Sequence, residues 1–258
     1  MPENSAPALL RQGNSDLRRD RIWTWTLPAW VVKLPSGRHI NVCPSADICA
    51  KLCYARTGTY RYRNVREAHM RNLLLTLEDL SGFEQMMTAE LRHRRYAKGA
   101  TVRLHDAGDF YSADYLRCWL RIMRTAPHVR FYCYTKEVAL FREFVEPDPP
   151  PNFGWCFSFG GRRDHLIDVD HDRHADVFPD EDALTAAGYF SQSASDLLAV
   201  TGPPRVGIPA NRIPHLVKMQ GRQSFGELQR DRDEWRARRR RAPIPAADYS
   251  PLAPSLRA

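Results

Sequence analysis

The chain has 258 residues, 43% of them hydrophobic and 26% charged, with a formal charge of +8. This is the composition of a soluble globular protein, long enough for one α/β domain. It excludes a membrane-spanning class, because no apolar run approaches the roughly 18–20 residues that a span requires. The first residues, Met1 to Ser5, lack the basic start and apolar stretch of a secretory leader, so a cytoplasmic location is expected. Thiols stay reduced there, so clustered cysteines point to metal or catalysis rather than to disulfides.

Residues 1–21 are polar and arginine-rich and read as a flexible arm. Residues 22–26, 30–33 and 39–42 read as short strands, punctuated by Pro28 and the Pro35-Ser36-Gly37 turn. The last of them feeds a loop holding three of the six cysteines, Cys43, Cys49 and Cys53, at spacing C-x5-C-x3-C. Thiolates gathered in one loop suit zinc or iron, and three of them leave one position open on a metal that takes four ligands. The plain alternative is three ordinary thiols packed as small hydrophobes.

Asn64 with Glu67, and Ser81 with Glu84, give capping-box signals for helices over about 64–79 and onward to about residue 96. Strand–helix alternation follows. Residues 101–105, 129–135 and 155–159 read as strands. Ser112 caps a helix carrying Tyr115, Leu116, Trp119, Ile122 and Met123 on one stripe. Residues 175–178, 189–190 and 197–200 are weaker strand candidates, and 205–214 reads as a loop. Ser224 with Glu227 caps a last helix running to about 241. The expected fold is therefore α/β: a partial (βα) barrel, TIM-like, with parallel strands over 22–202. A loop and basic helix over 203–242 extend it, and a proline-rich disordered tail over 243–258 ends it.

Polar residues gather after the strands. Cys43 follows the first group, His105, Asp106 and Asp109 the second, and Thr135-Lys136 the third; Ser158, Arg162, Arg163 and Asp164 follow the fourth. In a parallel assembly these strand ends share one face, where active sites form. His105 can ligate a metal, move a proton or bind an anion, or it can be a hydrogen-bonded strand-end histidine. Gly108 permits close backbone approach. Asp109 can bind an amine or ribose hydroxyl, or it can cap a turn. Lys136 can hold a carboxylate or phosphate, or it can be surface charge. Cys118, Cys133 and Cys156 read as core residues. The acidic stretch 164–176 mixes carboxylates with imidazoles but shows no ligand spacing, and reads as a solvated loop. Arg56, Arg61, Arg63, Arg66 and Arg71 with Tyr60 and Tyr62 are the mix that stacks bases and neutralises phosphates, and equally a basic helix entry. The run Arg238, Arg239, Arg240 and Arg241 suits nucleic acid too, or a solvated helix end.

Cys43-Pro44, Cys49, Cys53-Tyr54-Ala55, Asn72, Arg103, Gly108-Asp109-Phe110, Tyr115, Trp119 and Tyr134-Thr135-Lys136 together resemble the phage gene product 88 family. These are uncharacterised proteins of actinobacteria and their phages and plasmids. At one remove, the Cys-Tyr-Ala ending and the Gly-Asp after a strand are similar to radical S-adenosylmethionine enzymes, whose usual spacing is C-x3-C-x2-C. That resemblance implies a 4Fe–4S cluster on Cys43, Cys49 and Cys53. It also implies S-adenosylmethionine beside Tyr54, Arg103, Ala107, Gly108 and Asp109, with His105, Asp109 and Lys136 near the chemistry. A metal-stabilised nucleic-acid-binding protein of phage or plasmid replication is the alternative. A hydrolase with a divalent metal on His105, Asp106 and Asp109 is the third reading.

Overall fold

The computed structural model describes residues 8–210 and 212–241. Residues 8–21 hold a short strand and a short helix. β1 (Arg11–Gln12) pairs antiparallel with β2 (Ile22–Trp25), and α1 (Ser15–Arg19) between them is capped by Asn14, whose Oδ1 accepts from Leu17 N at 3.0 Å. Leu10 and Leu17 are buried and anchor this otherwise polar segment.

β3 (Val31–Lys33) and β4 (His39–Asn41) form a separate antiparallel hairpin. The strand that feeds Cys43 thus belongs to the hairpin and not to the main sheet. α2 (Ile48–Lys51) and two single 3₁₀ turns, Tyr54–Arg56 and Gly58–Arg61, lead into α3 (Arg63–Glu78). Tyr62 holds the N-cap position of α3, and Asn64 and Glu67 form no capping box, since Glu67 accepts from Arg63 Nε at 2.7 Å instead. α4 (Leu80–Leu91) is capped by Asp79 rather than Ser81, with Oδ1 accepting from Gly82 N at 2.8 Å.

The alternation read from sequence follows: β5 (Thr101–Leu104), α5 (Ala113–Thr125), β6 (Arg130–Thr135), α6 (Val138–Phe144), β7 (Phe153–Ser158) and β8 (His174–Phe178). Ser112 caps α5, its Oγ accepting from Tyr115 N at 3.2 Å. The chain continues through α7 (Glu181–Ala186), β9 (Phe190–Ser191), α8 (Leu198–Thr201), β10 (Arg205–Pro209), α9 (Pro214–Gln220) and α10 (Phe225–Arg241). Two expectations are corrected here. Residues 197–200 fall in a helical turn, and the segment read as a loop after 205 opens with a strand paired on both sides. Its apolar alternation, Val206 and Ile208 around Gly207, is too short to stand out until β8 and β9 flank it. The Ser224–Glu227 capping box forms, with Ser224 N donating to Glu227 Oε2 at 2.7 Å and Glu227 N to Ser224 Oγ at 3.2 Å. The expected tail over 243–258 lies outside the described residues.

The result is a mixed α/β fold. Its eight-stranded sheet runs β1-β2-β5-β6-β7-β8-β10-β9, and every pairing except β1 with β2 is parallel. Its edges, β1 and β9, do not meet, so the described residues form an open sheet and not a closed barrel. Trp25, Phe83, Tyr115, Trp119, Phe131 and Phe141 are fully or nearly fully buried in one core that draws on β2, β6, α4, α5 and α6. Trp25 lies 4.9 Å from Phe83 and 6.1 Å from Trp119 between ring centroids, in the tilted and edge-on arrangements that aromatic rings favour. This aromatic layer fixes the parallel strands in register, and their C-terminal ends carry the loops that follow.

Candidate functional site: a thiol-walled cavity

A cavity of about 450 Å³ opens at the C-terminal edge of the sheet. Its wall includes the residues named for the cluster and its cofactor: Cys43, Cys49 and Cys53, Tyr54, Arg103, His105, Ala107, Gly108, Asp109 and Lys136, whereas Arg162, Asp164 and the basic stretch 56–71 lie outside it. Parallel strands make this possible, because residues 105–109, 135–137 and 158–161 all leave the sheet on the same side.

The cysteine loop is pinned from three directions. Ser45 donates from N and Oγ, each at 2.8 Å, to the Glu137 carboxylate that follows β6. The carbonyl of Gly160, past the end of β7, accepts from Asp47 N at 3.2 Å and Cys49 N at 2.9 Å. Finally, α10 reaches over. Asp47, 5% exposed, accepts from Arg232 Nε at 3.0 and 2.8 Å, from Gln229 Nε2 at 3.2 Å and from Arg236. Gln229 Oε1 accepts from Ile48 N at 3.2 Å. Burial pushes the Asp47 carboxyl up, and bonds from Arg236, Gln229 and Arg232 outweigh it, leaving it below the ordinary carboxylate value. Asp47 and its α10 partners were not singled out from sequence. The one available signal is a carboxylate between cysteines together with an arginine-rich helix.

The Gly-Asp loop is built into the framework. Gly108 has φ +82°, and a Cβ there would fall 2.6 Å from Leu27 Cβ, so only glycine lets the loop lie this close to the end of β2. The Ala107 carbonyl accepts from Leu27 N at 3.1 Å, and Asp109 N donates to the Val42 carbonyl at 2.8 Å, tying this loop to the residue before Cys43. Both Asp109 oxygens are taken: Oδ1 accepts from Phe110 N and Thr135 Oγ1, each at 2.8 Å, and Oδ2 from Lys136 N at 2.9 Å. Asp109 therefore joins β5 to β6. Burial raises its carboxyl against those three donors.

His105 turns into the aromatic core, its Nε2 2.9 Å from Tyr115 Oη and its ring 4.5 Å from that of Phe110. Its φ is +60°, and burial pushes its pKa down to about 3, so the ring is neutral. Asp106 is engaged by Thr26 and by Tyr60 Oη at 2.9 Å, and Tyr54 Oη donates to its carbonyl. Asn72 on α3 donates to the Thr26 carbonyl at 2.9 Å. His105, Asp106 and Asp109 are thus committed to separate partners, against the divalent-metal hydrolase reading. Among the described residues no three His, Cys, Asp or Glu side chains converge closely enough to hold a metal ion.

The three loop cysteines are free and half-buried, while Cys118, Cys133 and Cys156 are fully buried in the core. Cys43 Sγ accepts from Trp30 N at 3.4 Å. Burial raises the Cys43 thiol, with Asp109, Cys49 and Cys53 adding to it, and burial pushes Cys53 up to about 11. Beside them Lys136, 9% exposed, donates from Nζ to Ser158 Oγ at 2.8 Å and to the Ser158 carbonyl at 3.3 Å. Burial draws the Lys136 ammonium down, and the charge of Cys49, then of Asp164 and Asp109, holds it above its ordinary value. No carboxylate among the described residues makes an ion pair with it.

Across the cavity Arg103 donates from one terminal nitrogen to both oxygens of Asp196, at 3.1 and 3.0 Å, and its guanidinium sits 5.2 Å from the Tyr134 ring centroid. Tyr132 Oη also donates to Asp196. Arg103 Nε and Tyr134 Oη are buried without a partner among the described residues. Asp196 lies in a loop with no sequence signal, and it escaped notice for that reason.

The arrangement defines a mixed α/β protein whose open, mostly parallel sheet carries a cavity walled by thiols, an ammonium and a guanidinium. The family described as Gene product 88 matches the chain over residues 8–241, and the chain belongs to that family. It is similar to the Gene 88 proteins of Mycobacterium phage L5 and Mycobacterium phage D29, in each case 33% identical over 116 residues, which is 41% of this chain and 46% of the relative. The chain thus spans about half the length of the curated relatives it matches. No solved structure matches it at a significant level. Among the described residues no helix is long and apolar enough to cross a membrane.

Proposed function

We propose that this chain is an iron–sulfur protein whose ligands are Cys43, Cys49 and Cys53, acting on a substrate brought to the adjoining cavity in the manner of radical S-adenosylmethionine enzymes. The observation that carries the reading is three free, half-buried cysteines on the wall of one cavity beside a buried ammonium. Thiolates suit zinc and iron–sulfur clusters, and three of them leave a position for a ligand. Burial raises the Cys43 and Cys53 thiols, and a bound cation displaces the protons of its thiol ligands. Cys43 Sγ must also turn away from Trp30 N, because the side chains as they stand do not converge. A bound cluster supplies one-electron chemistry. The chain's own part is to hold the loop through Glu137 and Asp47 and to offset the ligands' negative charge with Lys136. Ala107, Gly108 and the Arg103 guanidinium also line the cavity, where the two backbone N–H groups and the cation suit a polar ligand. S-adenosylmethionine is the ligand this reading names.

The test is reconstitution with iron and sulfide without oxygen. About four irons per chain, as a 4Fe–4S cluster carries, should bind with brown colour and be lost in Cys43→Ser, Cys49→Ser and Cys53→Ser. The loaded protein should bind S-adenosylmethionine. A folded protein that stays colourless and iron-free would end the reading.

A further inference from the structure

The surface that leaves the thiol loop is lopsided in charge. Between residues 48 and 77 the sequence holds six cations, Lys51, Arg56, Arg61, Arg63, Arg66 and Arg71, against the single carboxylate of Glu67. That is a local surplus of five positive charges, bounded by Asp47 on one side and Glu78 on the other. All six cations are exposed. Arg63 is paired with Glu67 at 2.7 Å, Arg56 lies over the Trp30 ring at 5.1 Å, and Arg61, Arg66 and Arg71 make no ion pair among the described residues. Set between Arg61 and Arg63 is Tyr62, 60% exposed, whereas Tyr60 is withdrawn onto Asp106. The surface also adjoins the cavity: Tyr54 and Ala55 line it, and Arg56 follows at once.

The arginine-rich α10 is the poorer candidate. Its Arg232 and Arg236 are held by Asp47, and Arg238 lies 3.6 Å from Glu234.

We propose that the surface from Lys51 to Arg71 binds single-stranded nucleic acid, with phosphates on the arginines and a base stacked on Tyr62. Cations spaced along an exposed path neutralise a backbone, and an open aromatic face among them suits an unpaired base. An acidic peptide would use the arginines and leave the ring idle. The inference deepens the thiol-site reading only in naming what would be presented to the cavity, and the binding itself needs no metal.

The experiment is fluorescence anisotropy on the metal-free full chain with a labelled single strand of about twelve nucleotides, as DNA and as RNA. Four phosphate contacts at about 0.7 each in the salt slope predict an affinity loss of about fifty-fold between ~50 and ~200 mM salt. The triple variant Arg61→Gln/Arg63→Gln/Arg66→Gln should flatten that slope by about 2. Tyr62→Ala should weaken binding about ten-fold and leave the slope unchanged. These side chains are exposed, so the variants should keep the wild-type circular dichroism. Absence of binding at ~50 mM salt overturns the proposal. So does full affinity in the triple variant, no effect of Tyr62→Ala, or competition by polyglutamate equal to that of unlabelled oligonucleotide. Cys43→Ser should bind the strand as wild type does, so a failed metal site and a failed nucleic-acid surface give different results.

Discussion

Asp47→Asn should release the thiol loop from α10. The carboxylate is 5% exposed and accepts from Arg232, Gln229 and Arg236. Removing one partner of a fully buried ion pair costs about 3–5 kcal/mol. Arg232 and Arg236 keep 28% and 29% of their side-chain surface exposed, so both regain water when the charge goes, and asparagine keeps one acceptor. The discounted loss is ~2–3 kcal/mol, which in a chain of this size lowers Tm by about 5–10 °C. Urea unfolding measures the first figure. Titration with a disulfide reagent measures the second consequence, at least a ten-fold faster reaction of Cys43, Cys49 and Cys53 while the three core cysteines stay unreactive. The pH dependence has a fixed sign. Because the folded pKa lies below the unfolded value of about 3.9, the contribution of Asp47 is complete above that pH and is lost as pH falls through the folded value, where variant and wild type converge. A variant within ~0.5 kcal/mol of wild type with unchanged thiol rates would refute the clasp.

Gly108→Ala should destabilise by more than ~2 kcal/mol, combining left-handed strain with the collision at Leu27. Gly37→Ala, where φ is +86° and nothing lies within 4 Å, isolates the dihedral part at ~1 kcal/mol in the same thermal assay. His105 should make stability fall on acidification. Its folded pKa is about 3, so between the unfolded value near 6.5 and that point only the unfolded chain binds the proton. The slope reaches ~1.4 kcal/mol per pH unit, and it should be missing from the pH dependence of His105→Gln.

The central parallel strands β5, β6 and β7 were legible as compact runs rich in β-branched or aromatic residues, residues 129–135 above all, with helices separating them. Their order made the convergence of Cys43, Gly108 and Lys136 on one edge legible too. What sequence could not give is whatever depends on distant partners. β10 becomes a strand only because β8 and β9 flank it. Asn64 and Glu67 had the capping pattern, yet the turn entering α3 put Tyr62 at the cap. Asp109 was legible by position, but its bonds to Phe110, Thr135 and Lys136 were not, because two of those partners lie on another strand end. The basic C-terminal helix read as a solvated or nucleic-acid face, and two of its arginines turn out to close over Asp47, a contact with no local signature.

The clasp also sets a timetable. Asp47 and Arg236 stand 189 residues apart, so at about 5–20 residues per second a ribosome needs roughly 10–40 s to deliver the second after the first. Throughout that interval the thiols ride on an unfinished polypeptide, open to oxidants and to stray metal. The loop can therefore be closed over its three thiols only after synthesis is complete, and the yield of free thiol from recombinant cells should depend on oxygen during expression as much as during purification.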